Sequence, residues 1–208
     1  MKEIGLIFSA EMAQANMLGQ KTMTRRTRGL NKINEDPDLW EKTPTLNPSV
    51  WAFYQGPKDK PTELIRIKSP FDQVGDKIWQ RETWATELRL DHLSPSEIGE
   101  AATVPVWYKA DGKHLSILEL GKWRSPLFMP RWASRFATPI TKLPVPVRLQ
   151  EITLEDAKRE APPFPWDVAE KERNYRYAFL VLWDSKNAAK GLGWDFNPWV
   201  WPIVYKGN

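Results

Sequence analysis

Proline sets the strongest limit on what this chain can become. Eighteen prolines stand against eleven glycines in 208 residues, and each fixes φ and removes a backbone donor. Long helices are therefore not expected. Fixed turns and edge-like strands are expected instead. An apolar content of 41% with twelve tryptophans indicates a packed core, and the length requires only one domain. Cysteine is absent, which excludes disulfides and thiolate metal sites. His92 and His114 match no common zinc spacing, so neither metal nor cofactor is expected. The opening apolar run is short and is interrupted by Glu3 and Glu11, unlike a signal peptide. No stretch approaches membrane-spanning length, so a cytoplasmic protein with no membrane partner is expected.

Periodicity and breakers place the elements. Residues 4–8 form an opening strand. Ser9 caps a helix over 10–18, with Met12, Ala15 and Leu18 on one face and Gly19 ending it. Residues 27–61 are polar and proline-punctuated, an irregular insertion pinned by Trp40, Trp51, Phe53 and Tyr54. Strands are expected at 62–68 and, after the Gly75-Asp76 turn, at 77–82. On the latter, Trp79 and Arg81 face one way while Ile78, Gln80 and Glu82 face the other. Residues 104–110 read as a strand whose hairpin turns at Asp111-Gly112. Residues 136–149 are a broken or edge strand because of Pro139, Pro144 and Pro146. Thr153 caps a helix over 154–160 that Ala161-Pro162-Pro163 stops. Tyr175, Ala178, Phe179, Leu182 and Trp183 share one face of the longest helix, 172–187, and a final strand covers 199–205. The fold class is α+β, a small barrel with short flanking helices and loop insertions, as one domain over 1–208.

The net charge of +4 is modest, but its distribution is not. Five basic residues and no acid lie between Lys21 and Lys32. Four more (Lys122, Arg124, Arg131, Arg135), again with no acid, are interleaved with Trp123, Phe128 and Trp132. Guanidiniums among aromatics suit phosphates and stacked bases; equally, the aromatics are core residues that the arginines border. In Gly19-Gln20-Lys21-Thr22-Met23-Thr24-Arg25-Arg26 an amine, a hydroxyl and two guanidiniums fall within one turn. A lysine crowded by fixed cations loses part of its preference for the charged form and can act as a base toward a nearby hydroxyl. The same run also reads as a solvated basic loop touching phosphate.

That octapeptide resembles the signature loop of the ASCH superfamily, roughly Gly-x-Lys-x-x-polar-x-Arg. Further text is similar to a tailed-phage and prophage branch. It comprises Ile78-Trp79-Gln80-Arg81-Glu82-Thr83-Trp84-Ala85, Trp123-Arg124-Ser125-Pro126 with Met129 to Arg135, Leu182-Trp183-Asp184-Ser185, and the Gly193 to Trp201 ending. The resemblance implies a PUA-like β-barrel and an association with RNA or modified nucleotides, in the bacterial host cell if the chain is phage-encoded. One characterised ASCH group removes the acetyl group from 4-acetylcytidine with a loop lysine, a loop threonine and a later glutamate. By that likeness Lys21, Thr24 and Glu160 are the catalytic candidates. The glutamate is carried by Ile152-Thr153-Leu154-Glu155-Asp156-Ala157-Lys158-Arg159-Glu160, which resembles the family's helix. Arg25 or Arg26 would hold an oxyanion. Arg81 or Glu82 would meet a base, Trp84, Tyr108 and Trp132 would stack, and Arg131 and Arg135 would contact phosphate. The expected partner is a modified nucleoside or nucleic acid, either hydrolysed or bound by a non-catalytic RNA/DNA or modified-base module of phage origin. The chain departs from those amidohydrolases in being about twice as long, and in its prolines between Phe136 and Arg148.

Overall fold

In the computed structural model, residues 1–99, 104–112, 119–160 and 173–207 are described. The first strand, β1 (Glu3–Ile7), leads into helix α1 (Ala10–Met17) and strand β2 (Met23–Arg26). The Ser9 side chain makes no capping bond; instead its carbonyl accepts from Ala13 at 2.8 Å to open the helix. Gly19, at φ 69°, turns the chain out of α1. The helix buries Met12, Ala13, Ala15 and Asn16, whereas Leu18, past its end, is exposed.

Residues 27–61 are not irregular. They hold β3 (Glu41–Pro44) and β4 (Val50–Gln55), which join β5 (Glu63–Lys68) in an antiparallel meander. The prolines responsible for the contrary expectation sit at strand ends and turns: Pro44 closes β3, and Pro48, Pro57 and Pro61 lie between strands. None removes a donor from a strand interior. The segment is also anchored in the main core by Leu30, Ile33, Trp40 and Phe53. Phe53 meets Trp199 edge-on at 5.2 Å.

Next come β6 (Lys77–Arg81), β7 (Trp84–Ala85), the one-turn helix α2 (Pro95–Ile98), β8 (Trp107–Tyr108), β9 (Ala137–Pro139) and β10 (Val147–Arg148). The chain then forms α3 (Leu154–Glu160), α4 (Arg173–Asn187) and β11 (Trp199–Val204). Buried Asp76 builds the turn before β6 by accepting the amides of Lys2, Asp72 and Gln73, with Gly75 at φ 92°. The strand expected at 104–110 shrinks to β8, paired with β7. Gly112, left-handed at φ 66°, ends the turn after it, and the hairpin's continuation over 113–118 lies outside the described residues. So does the Ala161-Pro162-Pro163 stop. Thr153 caps α3 as its position suggests, Oγ1 accepting from Asp156 N at 3.1 Å.

The chain is thus mixed α+β, with its strands in several small sheets. One has the order β1-β6-β9, the first pair parallel; another has the order β10-β11-β2. They abut where Ile140 bridges Tyr205 and Thr141 donates to the Val204 carbonyl at 2.9 Å. Among the described residues these pairings do not close into a barrel. One core cluster packs α1 and the meander against β6 and β11; a second sits under α3 and α4 around Phe179 and Trp183; a third is Trp84, Met129 and Ala133. Among the described residues the outer edge of β1, at the end of its sheet, carries no strand. That edge faces the site.

Candidate functional site

The site is built where the end of α3 docks on β2 and the loop before it. Thr22 N donates to the Arg159 carbonyl at 3.0 Å, and Arg159 Nε returns a bond to Thr22 Oγ1 at 3.1 Å. This contact brings Glu160 beside residues some 140 positions earlier. Lys21, only 3% exposed, donates through Nζ to the backbone carbonyl of Glu160. The ammonium therefore sits against the carbonyl end of a helix, where the dipole favours it. Burial nevertheless dominates and, with Arg26 and Arg25 adding to it against the opposing pull of Glu160, lowers its pKa from 10.5 to about 7. A buried lysine of this kind is neutral in a large fraction of molecules at physiological pH.

The Glu160 carboxylate does not meet Lys21. It accepts from both the main-chain amide and the Nη1 of Arg25, while Arg25 Nη2 reaches Asp156 one helical turn earlier at 2.9 Å. Arg25 thus clamps β2 to α3, its guanidinium 5.6 Å from the Phe179 ring centre. It has no free fork to hold an oxyanion. Arg26 is different. Its Nη2 donates to the Ile7 carbonyl at 2.8 Å and its guanidinium lies over Phe8 at 5.1 Å, while its Nε, like that of Arg25, is buried without a partner. Among the described residues no carboxylate lies within ion-pair distance of it. The Thr24 hydroxyl likewise carries no hydrogen bond among the described residues.

Lys21, Thr24, Arg25, Arg26 and Glu160 border one cleft of about 710 Å³, walled by Phe8, Met12 and Phe179. That size suits a nucleoside-sized ligand. Arg81 borders it from the other side. A neighbouring hollow of about 470 Å³ shares Gly5, Arg28 and Arg81 with the cleft and continues past Trp79 to Lys2 and Lys68. Together they form one groove along the free edge of β1.

The other sequence candidates gather elsewhere. Glu82 faces away from Arg81, as strand alternation requires, and is buried in a bidentate pair with Arg135 at 3.0 Å. Arg135 also binds Asp111 and lies 4.0 Å from the Tyr108 ring centre, so two acids already neutralise this cation offered for phosphate. Trp84 is wholly buried and meets Trp132 edge-on at 5.8 Å, and Tyr108 Oη donates to the Ala133 carbonyl. These three rings pack the third core cluster and its border, not the cleft. Arg131 pairs with Glu3 at 2.7 Å. A buried polar chain spans the gap between the two groups. Tyr205 Oη donates to Asn16, Asn16 to Gln80, and Gln80 to Glu82 at 2.7–2.8 Å.

The groove also contains residues that the sequence reading did not single out as binding groups. Trp79 lies across Gly5, where any Cβ would come within 2.6 Å of the indole; a glycine inside a strand is the signal of such an approach. Among the described residues there is no group of three His, Cys, Asp or Glu able to hold a metal ion, and no helix is long and apolar enough to cross a membrane. Compared with known proteins, the chain matches no family model, no curated protein and no solved structure.

Proposed function

We propose that this is an ASCH-type protein with a partly open PUA-like barrel that recognises a modified cytosine and hydrolyses its N4 acyl group. The observation that carries the reading is the buried Lys21 amine and the Thr24 hydroxyl, unbonded among the described residues, on the wall of the same nucleoside-sized cleft. Thr24 positions a water, and neutral Lys21 takes its proton as the water attacks the acyl carbonyl. Arg26 faces the oxygen on which charge develops. Collapse breaks the C–N bond, the Lys21 ammonium protonates the departing N4 amine, and acetate and cytidine leave when the acyl group is acetyl. Glu160 acts through other residues, its carbonyl orienting Lys21 and its carboxylate fixing Arg25.

A second reading, a non-catalytic module that binds a modified base, RNA or DNA, is favoured by one observation. Both oxygens of the Glu160 carboxylate already accept from Arg25, an arrangement that suits a structural clamp better than a proton-transfer group. Hydrolysis of 4-acetylcytidine by wild type, Lys21→Ala and Thr24→Ala decides between them. Each variant should lose roughly 100-fold or more in kcat/KM if it removes the base or its water. An inactive wild type that still binds the nucleoside establishes the second reading.

A further inference from the structure

The groove beyond the cleft asks for a ligand larger than a nucleoside. A free nucleoside is neutral, yet this surface is strongly cationic. Its acidic members are Glu3 and Glu160, and each is already held by an arginine, Arg131 and Arg25 respectively. Arg28 is exposed at the junction of the two hollows and has no ion pair among the described residues. Lys68 and Lys2 share a single acid, Asp72, at 3.0 and 3.9 Å. Arg81 spends Nε and Nη2 on the Met129 and Leu127 carbonyls, which neutralise nothing, and it stands 5.2 Å from the Trp79 ring centre. Arg26, half-buried, lines the cleft at the inner end.

We infer that this groove holds the backbone of a single-stranded nucleic acid, whose phosphates run along the β1 edge from Lys2 and Lys68 past Arg28 and Arg81, with one base turned into the Lys21–Thr24 cleft. Cations in a row beside an indole, ending in a pocket for one base, suit a strand whose bases are unpaired. A duplex keeps its bases stacked and cannot present one without flipping it out. An acidic peptide added as an extra strand is disfavoured because Arg26 already occupies the Ile7 carbonyl, a pairing group of that edge. The inference extends the proposed function from nucleoside to strand, and its test reads binding alone, independent of turnover.

Fluorescence anisotropy with labelled oligo(U) and oligo(dT) tests it. Taking Lys2, Arg28, Lys68 and Arg81 as four phosphate contacts, log Kd against log salt should have a slope near ~2.8, a loss of roughly 50-fold between 50 and 200 mM salt. The double variant Arg28→Gln/Lys68→Gln should lower that slope by about 1.4. The pair Lys58→Gln/Lys60→Gln, in the β4–β5 turn away from the groove, should leave it unchanged. Three results overturn the inference: equal slope loss in both pairs, duplex bound as tightly as single strand, or polyglutamate displacing the oligonucleotide at matched charge. An active deacetylase that binds no oligonucleotide overturns it too while leaving the proposed function standing. Groove-dependent binding by an enzyme inactive on acetylated cytidine supports it and sinks only the hydrolytic reading.

Discussion

Replacing Lys21 by methionine removes the titrating amine while keeping most of its bulk. In the unfolded chain the amine titrates near its ordinary 10.5; in the folded chain burial brings it to about 7. Between those values the unfolded state holds more protons than the folded state, so the Lys21 contribution makes stability rise with pH. At 1.36 kcal/mol per pH unit of difference, the amine costs the folded protein roughly 4 kcal/mol at neutral pH. That cost levels off below the folded value and vanishes above the unfolded one. Urea unfolding of wild type and Lys21→Met at pH 7 and pH 9 isolates it, because the other titrations largely cancel. Wild type should gain about 2 kcal/mol on the variant over that interval. In the same range, log kcat/KM on the acetylated substrate should climb with unit slope below about pH 7 and then flatten. A stability difference independent of pH would mean an ordinary lysine. The hydrolytic mechanism would then have lost its base.

Gly5→Ala places a methyl 2.6 Å from the Trp79 indole. It should cost about 1–3 kcal/mol in urea unfolding and, by pushing the indole into the groove, weaken oligonucleotide binding as well. Arg135→Met strips the counter-charge from buried Glu82, a loss of about 3–5 kcal/mol. The companion variant Glu82→Gln/Arg135→Met should recover most of it, and a larger loss in the double variant would show that the pair is not what holds that corner together.

Much of the framework was legible because local signals agreed. β1, α1, β5, β6, α3, α4 and β11 fall close to where periodicity and breakers place them. β3 and β4 escaped because proline was weighed by number and not by position: Pro44, Pro48, Pro57 and Pro61 all stand at ends and turns. The aromatics show a second limit. Trp84 and Trp79 lie five residues apart, yet Trp84 is wholly covered while Trp79 borders a groove. Residue type cannot decide between them; their neighbours across the sheet do, and only Gly5 opposite Trp79 left a trace in the sequence. The approach of Lys21 to Glu160 spans 139 positions, and no periodicity reports it; the pairing of those two residues came from family resemblance. That it runs through a backbone carbonyl is visible only in the fold.

The role of Glu160 turns on that detail. A carboxylate in direct contact with Lys21 would favour the ammonium and draw its pKa back toward the ordinary range. Arg25 prevents this by taking both the carboxylate of Glu160 and that of Asp156, the two acids on the α3 face nearest the cleft. The lysine is left with a neutral carbonyl acceptor, and the pull of the nearby Glu160 charge is outweighed by burial and by two guanidiniums that repel its own. If Lys21 is the base, as proposed, the clamp serves it: Arg25 keeps the Glu160 carboxylate out of direct contact with the amine, and Arg26, with no carboxylate within ion-pair distance among the described residues, is the arginine left to meet an anion. On that proposal the consecutive arginines, interchangeable in the sequence, have different duties.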